Sequence, residues 1–130
     1  MKIILTKVFV DDQEKALKFY TETLGFVKKS DVSADSYRWL TVVSPDDPDG
    51  TELLLEPNDN PVAQAYQKGI IEQGIPAASF GVEDTHAEYE RLKAQGVKFT
   101  MEPTEVVDGV TIAVFDDTCG NIIQIQTTQK

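Results

Sequence analysis

Carboxylates are the residues of this 130-residue chain that are best placed to do chemistry. Glu52 and Glu56 both belong to the apolar segment 51–56, whose composition is typical of a β-strand. Because side chains alternate between the two faces of a strand, both carboxylates should share one face with Leu54. In an apolar pocket Glu56 would suit proton transfer, in a wet groove it would attract a cationic ligand, and on an outer face it would only meet water.

The other reactive residue types are isolated along the chain. His86 is the only histidine, and one imidazole forms neither a catalytic triad nor a metal site by itself. Cys119, the only cysteine, has no histidine or lysine near it in the sequence to favour the thiolate, so a turn thiol is the simpler interpretation. Asp116 and Asp117 are more typical of a tight turn than of a catalytic pair.

Two copies of one strand–helix unit would position these side chains. Asp84 follows Asp12 by 72 positions, and Gly96 follows Gly25 by 71, so the copies stay in step with a single-residue gap. In each copy an aspartate is suited to cap a helix and a glycine to end it. A repeat of this length predicts two modules with the same architecture.

The pattern of apolar residues and turn residues predicts the elements of both modules. Asp11 or Asp12 caps the first helix, Asn60 and Pro61 start a linking helix, and Asp84 or Thr85 caps the third. We expect one domain, residues 1–130, with module one at 1–57, the linking helix within 58–74 and module two at 75–130, ending in a frayed terminus. The predicted strands are 3–10, 26–30, 37–43, 51–56, 75–82, 97–101 (interrupted at Pro103), 110–115 and 122–127.

These motifs resemble the vicinal oxygen chelate superfamily, which includes glyoxalase I, the bleomycin-resistance proteins and the extradiol dioxygenases. The resemblance implies an α+β fold of two βαβββ modules whose sheets curl around a shared cleft. The matching residues are Val8-x-Val10-x-Asp12-x-x-x-Ala16-x-x-Phe19-Tyr20-x-x-x-Leu24-Gly25-Phe26, Val82-x-Asp84, Gly96-Val97-x-Phe99 and Asp116-Asp117-x-x-Gly120-Asn121.

The resemblance also implies where a metal would bind. In metal-binding members four positions supply the ligands, and here they are Leu5, Leu54, Ala77 and Gln124. Leucine and alanine carry no lone pair, and one neutral amide does not hold a divalent ion alone. We therefore predict no metal and no other cofactor.

The alternation of side chains along each strand predicts which residues line the implied cleft, and the predicted lining mixes apolar and polar groups. Such a lining suits a small organic molecule with an aromatic or cationic portion, although a cleft packed shut or used for dimer contacts is the alternative. The predicted ligand-binding residues are Leu5, Lys7, Phe9, Trp39, Leu54, Glu56, Ala77, Ser79, Phe115 and Gln124, accompanied by Thr41, Glu52, Thr111 and Gln126.

The leading functional hypothesis is metal-independent binding of a drug or metabolite. Sequestering members of the superfamily capture ligands in a groove between two subunits, so the resemblance implies a homodimer. The alternatives are a lyase, isomerase or dioxygenase with a displaced metal site or acid–base chemistry at Glu56, and a structural or regulatory module.

Composition disfavours some classes of partner. A net charge of −10 disfavours nucleic acid and anionic membranes, since both are bound through clustered lysine and arginine. No apolar run is long enough to span a bilayer, and a single cysteine fits a reducing cytoplasm.

Overall fold

The computed structural model describes residues 1–127, so the frayed end predicted at Gln129 and Lys130 lies outside the described residues. The chain divides into two compact units, Met1–Gln64 and Ala65–Lys130. Each unit holds one four-stranded mixed sheet, which confirms the α+β class and the two βαβββ modules. None of the helices within residues 1–127 has the length and apolar character needed to cross a membrane.

The first unit follows the predicted order of elements. Its strands are β1 (Leu5–Val10), β2 (Val27–Ala34), β3 (Tyr37–Val43) and β4 (Glu52–Pro57), and helix α1 (Gln13–Lys18) continues into a π-helical turn, Phe19–Thr23. The sheet order is β1-β4-β3-β2, in which β1 runs parallel to β4 and the other pairs are antiparallel.

Helix α1 is held at both ends by the residues that the sequence singles out. The carboxylate of Asp12 accepts the backbone N–H of Lys15, and Asp12 rather than Asp11 is therefore the cap. Gly25 has φ +93°, a conformation that favours glycine and ends the helical segment. Ala16 and Tyr20 are fully buried, so the helix covers one face of the sheet.

The covered face of the first sheet forms the core of this unit. Val8 and Val10 of β1 alternate with residues of the opposite face, and the registers align them with β4 and β3. All these side chains are buried, which is the main source of stability in this unit. They are Val8, Val10, Leu40, Val42, Leu53 and Leu55.

A charged cluster fastens β2 and β3 to α1. Arg38 donates two hydrogen bonds of 2.8 Å to the carboxylate of Asp31 and one of 2.9 Å to Glu14. The bidentate hydrogen bonding from Arg38 is the main reason that the pKa of Asp31 falls from its ordinary 3.8 to about 2.

We expect the stability of the protein to fall as the pH drops from 3.8 toward 2, in part because Asp31 becomes protonated. The folded-state pKa lies below the unfolded one, so the ionised carboxylate stabilises the fold above this interval and that contribution is lost within it. Urea unfolding at several pH values should show a shallower acid loss for Asp31→Asn than for the wild type. Asp46→Asn, at an exposed position, is the control; equal pH slopes for the wild type and Asp31→Asn would contradict this role.

The second unit contains the end of the linking helix and the second module. The linking helix is α2 (Pro61–Glu72), whose first turn is capped by the Asn60 side chain at 2.8 Å from the Val62 nitrogen. It is followed by β5 (Ala78–Val82), α3 (Thr85–Ala94), β6 (Phe99–Val107), β7 (Val110–Asp116) and β8 (Ile122–Thr127). The sheet order is β5-β8-β7-β6, with β5 parallel to β8.

Strand β6 corrects one prediction. The sequence predicts that Pro103 interrupts this strand, but β6 continues through it to Val107. The strand lies at the edge of its sheet, and its pairing with β7 skips from Met101 to Thr104, so the missing proline N–H costs no ladder hydrogen bond.

Candidate functional site

The face of the first sheet opposite its covered face carries six of the predicted site residues, and we call it the first open face. The parallel register aligns Leu5 with Glu52, Lys7 with Leu54 and Phe9 with Glu56, and Thr41 of β3 lies opposite Leu54. Alternation along β3 then adds the residues two and four positions before Thr41. The first open face consists of Leu5, Lys7, Phe9, Tyr37, Trp39, Thr41, Glu52, Leu54 and Glu56.

The first open face combines a buried centre with partly exposed rings and aliphatic groups. Leu54 is 2% exposed and Thr41 is fully buried, whereas Leu5, Tyr37 and Trp39 retain 36–37% of their exposure. Partly exposed aromatic side chains next to a buried apolar centre are typical of surfaces that bind small organic molecules.

Glu56 is held by a tyrosine that the sequence-based lining does not include. The Tyr37 hydroxyl donates to Glu56 Oε1 at 3.0 Å. Desolvation, assisted by this hydrogen bond, raises the pKa of Tyr37, so the phenol stays protonated and remains a donor. The spacing of Tyr37, two residues before Trp39, is the signal that could have placed it on the same face from the sequence.

Glu52 is held in a different way at the other end of β4. The Thr41 hydroxyl donates to Glu52 Oε1 at 2.7 Å and accepts the backbone N–H of Ser30 at 3.2 Å. Thr41 therefore uses its single proton on Glu52 and serves to fix that carboxylate against the sheet.

Strands β3 and β4 separate near Glu56. In the described part of the chain their ladder comprises Thr41 with Leu54 and Val42 with Leu53, and it does not extend to Trp39 and Glu56. The side-chain amide of Gln13 instead donates to the carbonyl of Leu55 at 2.8 Å and to that of Arg38 at 3.0 Å. The first residue of α1 thus bridges the two strands where their own hydrogen bonds stop.

Sequence reasoning does not identify Gln13, and the reason is physical. Both of its partners are backbone carbonyls, which every residue possesses, so no residue type elsewhere in the sequence marks the interaction. Only the placement of the α1 N-terminus over the separated strands reveals its role.

The second sheet has its own open face, which is polar and neutral where the predicted site residues lie. Ser79 of β5 lies opposite Gln124 of β8. Gln124 donates to Ser79 Oγ at 3.1 Å and to Gln126 Oε1 at 3.2 Å. Ala77 precedes β5, where its N–H donates to the carbonyl of Ile122. These side chains satisfy one another and present no charged group.

The predicted placement of Phe115 in the cleft lining is wrong. Gln124 lies opposite Val114, and Phe115 lies opposite Ile123, so Phe115 points away from the open face. Its ring is fully buried and meets Phe99 edge-on at 5.6 Å between centroids. Thr111 shares the parity of Phe115 and falls on the same side. Both faces of β7 carry apolar residues, so its sequence alone does not settle its orientation.

The residues at the four metal-ligand positions do not fit a metal. Leu5 and Leu54 in the first unit and Ala77 in the second offer no lone pair, and Gln124 offers a single neutral amide. Among residues 1–127, no group of three or more His, Cys, Asp or Glu side chains is arranged to hold an ion. Chemistry that needs a metal ion therefore has no ligand set at these positions.

The segment Asp116–Asn121 is a turn, as predicted. Asp116 accepts the N–H of Thr118, and Asp117 accepts those of Cys119 and Asn121. Gln67 of α2 donates to the carbonyl of Cys119 at 3.0 Å, which ties the helix to this turn. Cys119 is buried, as expected of a structural thiol rather than a nucleophile.

A groove of about 480 Å³ lies on the outer side of α1, away from the first open face. Charged residues predominate in its lining, and one of them, Glu14, already pairs with Arg38. None of the predicted site residues contributes to it. The groove is lined by Glu14, Leu17, Lys18, Thr21, Glu22 and Lys28.

Comparison with known proteins places this geometry in context. The profile of the Glyoxalase/Bleomycin resistance protein/Dioxygenase superfamily matches residues 2–125. The uncharacterized protein YurT of Bacillus subtilis (strain 168) is 63% identical over 125 residues, which are 96% of this chain and 98% of YurT. A probable lactoylglutathione lyase of Vibrio cholerae serotype O1 is 31% identical over 127 residues, or 95% of this chain and 88% of the lyase.

A solved structure extends the comparison to a protein that binds a ligand. TnmS3, an antibiotic binding protein from Streptomyces sp. CB03234, superposes with a TM-score of 0.75 and shares 26% of its sequence with this chain. The match covers 99% of this chain and 97% of TnmS3.

Proposed function

This chain belongs to the Glyoxalase/Bleomycin resistance protein/Dioxygenase superfamily, and from that premise we propose that it binds a small organic molecule without a metal ion. The first open face is the proposed binding surface in module one. The observation that carries the proposal is the set of partly exposed rings of Tyr37 and Trp39 beside the buried Leu54. A surface of this kind binds flat apolar groups by burial and ring contacts, neither of which needs a metal.

Two further observations support binding without a metal. Three of the four positions that supply metal ligands in the superfamily carry leucine or alanine. TnmS3, which shares the fold, is an antibiotic binding protein. Drug or metabolite sequestration is the form of this function that we favour.

An enzyme is the second candidate. The similarity to a probable lactoylglutathione lyase favours it, and Glu56, held by Tyr37 at 3.0 Å, is the group that would exchange a proton with a substrate. The two candidate functions can be told apart experimentally. An enzyme converts its ligand into a product, whereas a sequestering protein releases the ligand unchanged.

The proposal includes the assembly and setting that the sequence suggests. We take the chain as one domain of two modules, located in the cytoplasm and paired as a homodimer. Each sheet is open, and sheet edges are surfaces that proteins commonly cover or pair.

Trp39 is the only tryptophan, so its fluorescence reports directly on the proposed surface. We expect planar aromatic antibiotics, tested as a panel, to include compounds that quench Trp39 saturably, with the same affinity in the presence and absence of EDTA. The melting temperature should also be indifferent to EDTA, because no metal-binding energy is linked to folding. Each compound should be recovered unchanged by mass spectrometry.

Three results would count against this function. Elemental analysis showing a metal near one per chain, together with a melting temperature that falls in EDTA, would restore a metal site. Conversion of the compound during incubation would favour the enzyme. If an excess of a second compound from the panel does not relieve the quenching of Trp39 fluorescence by the first, the compounds do not share a defined site.

A further inference from the structure

We propose that the end of the first open face around Glu56 is a site for an organic cation, such as a methylated ammonium group. This inference rests on the proposed function and specifies the charge of its ligand. It follows from the rings around Glu56, from the carboxylate oxygen that is left unused and from the charge balance of the face.

Two aromatic residues adjoin Glu56 in the sheet. Phe9 is its register partner on β1, and Tyr37 reaches it from β3 with a hydrogen bond of 3.0 Å. Trp39 lies between Tyr37 and Thr41 on the same face of β3, where it keeps 36% of its exposure. The rings of Phe9 and Tyr37 beside one carboxylate, with Trp39 farther along the same face, form an arrangement that attracts a cation through ring faces and opposite charge together.

Glu56 keeps an acceptor for a ligand. Tyr37 uses Oε1, and within the described part of the chain no hydrogen bond or ion pair involves Oε2. The other carboxylate of the face, Glu52, is held by the buried Thr41. The two acidic residues are therefore not equivalent, and Glu56 is the one whose surroundings are aromatic.

Charge on the first open face also favours a cation. Lys7 is its only basic residue, and among residues 1–127 it forms no ion pair with Glu52 or Glu56. The face thus carries two carboxylates against one ammonium, within a chain of net charge −10. This field attracts cations toward the face and disfavours anions.

The surroundings of Glu56 select an organic cation over a metal ion. Calcium and magnesium require six or more oxygen ligands, including water, and a site with one carboxylate and a phenol among rings supplies too few. A quaternary ammonium ion has no N–H group to satisfy and makes favourable contacts with ring faces, so it loses less on leaving water than a metal ion does.

A pair of ligands with equal shape and different charge tests the inference. The probes are 3-hydroxyphenyltrimethylammonium and neutral 3-tert-butylphenol, titrated into the full-length protein and followed by NMR chemical shifts. We expect the cation to bind at least 10-fold more tightly. Glu56→Gln should weaken the cation about 10-fold, the equivalent of one lost charge-assisted contact, and should change the affinity for the phenol less than twofold.

Control variants separate the effect of the Glu56 carboxylate from that of the protein's net negative charge. Glu83→Gln removes the same charge from an exposed position outside the first open face, and both affinities should stay within twofold of the wild type. Trp39→Leu should weaken both probes, because both contact the face. Chemical shift dispersion in each spectrum verifies that the variant is folded.

The possible outcomes separate the cation site from the more general proposal that the protein binds a small molecule. If both probes bind equally and Trp39→Leu weakens both, the cation preference is wrong while small-molecule binding stands. An equal loss of cation affinity in Glu56→Gln and Glu83→Gln would assign the preference to net charge and overturn the site. If neither probe binds at millimolar concentration, the cation site is wrong, and the antibiotic panel decides separately whether the protein binds any small molecule.

Discussion

Phe115→Ala should lower the free energy of unfolding by about 3–5 kcal/mol, the cost of emptying a core position that a phenylalanine fills. The ring is fully buried, packs edge-on against Phe99 and sits opposite Ile123 on the next strand. Phe99 in turn meets Tyr89 of α3 at 4.7 Å between ring centroids. Removing Phe115 therefore opens a cavity at one end of an aromatic chain that joins the helix to the sheet.

Urea unfolding followed by far-UV circular dichroism measures this loss. Phe115→Leu should cost less than the alanine change, since it keeps most of the buried volume. Val32→Ala is the surface control. Val32 is 60% exposed, so this substitution should change the free energy of unfolding by no more than about 0.5 kcal/mol. If Phe115→Ala lowers the free energy of unfolding as little as Val32→Ala does, Phe115 is not packed in the core, and its placement on the ligand-binding face would be correct after all.

Asp117→Ala should destabilise the protein by about 3–5 kcal/mol, because it leaves several buried donors without an acceptor. Asp117 is fully buried. Its Oδ1 accepts the N–H groups of Cys119 at 2.7 Å and Asn121 at 3.0 Å, and its Oδ2 accepts the Asn121 side-chain amide at 2.8 Å. The carboxylate thus closes the turn between β7 and β8 from within.

Asp117→Asn provides a sharper version of the same test. An asparagine keeps the oxygen that accepts the two backbone N–H groups but opposes its own amide to that of Asn121. Asn121 cannot turn its amide over without cost, because its Oδ1 already accepts from Gln67 at 3.1 Å. We expect a loss of about 1–3 kcal/mol, smaller than for alanine.

Thermal and urea unfolding of both variants, beside Asp116→Asn, measure these effects. Asp116 lies in the same turn, and its side chain accepts one hydrogen bond among residues 1–127, from the N–H of Thr118, so Asp116→Asn should cost about 1 kcal/mol or less. Equal losses for Asp117→Ala and Asp116→Asn would show that the buried carboxylate is not the group that holds the turn.

The first open face is the surface on which we propose that a ligand binds without a metal. The superfamily's ligand positions on β1 and β4 carry Leu5 and Leu54, whose side chains are apolar and have no lone pair. Glu56 lies one pleat beyond Leu54 on the same face, where Phe9 and Tyr37 adjoin it. Leu54, at a position that holds a metal in other members, and Glu56, where we propose that a cation binds, are therefore neighbours on one face of β4, two residues apart.

Local signals in the sequence determined the elements and their order. Asp12 and Asp84 cap their helices, and Gly25 and Gly96 end them at φ +93° and +89°, because caps and left-handed glycines depend on a few neighbouring residues. The third and last predicted strands match β3 and β8 at both ends. Alternation along β1 and β4 likewise placed Lys7 and Glu56 on one face.

Tertiary structure decided what depended on pairing between distant strands. The orientation of β7, and with it that of Phe115, follows from its regular register with β8 and from its pairing with β6, which bulges shift. Both faces of β7 are apolar, so its sequence gives no preference. The strand β6 passes through Pro103 because an edge position needs no N–H there.

The candidate site divides in the same way. The sequence by itself determined that Glu56 and Trp39 lie on strands and that three of the four metal positions carry no donor atom, since these are matters of residue type and position. Only the folded chain revealed that Tyr37 binds Glu56 and that Gln13 bridges the carbonyls of two separated strands. Such contacts join residues 19 to 42 positions apart through a hydroxyl or a backbone oxygen, and neither leaves a pattern along the sequence.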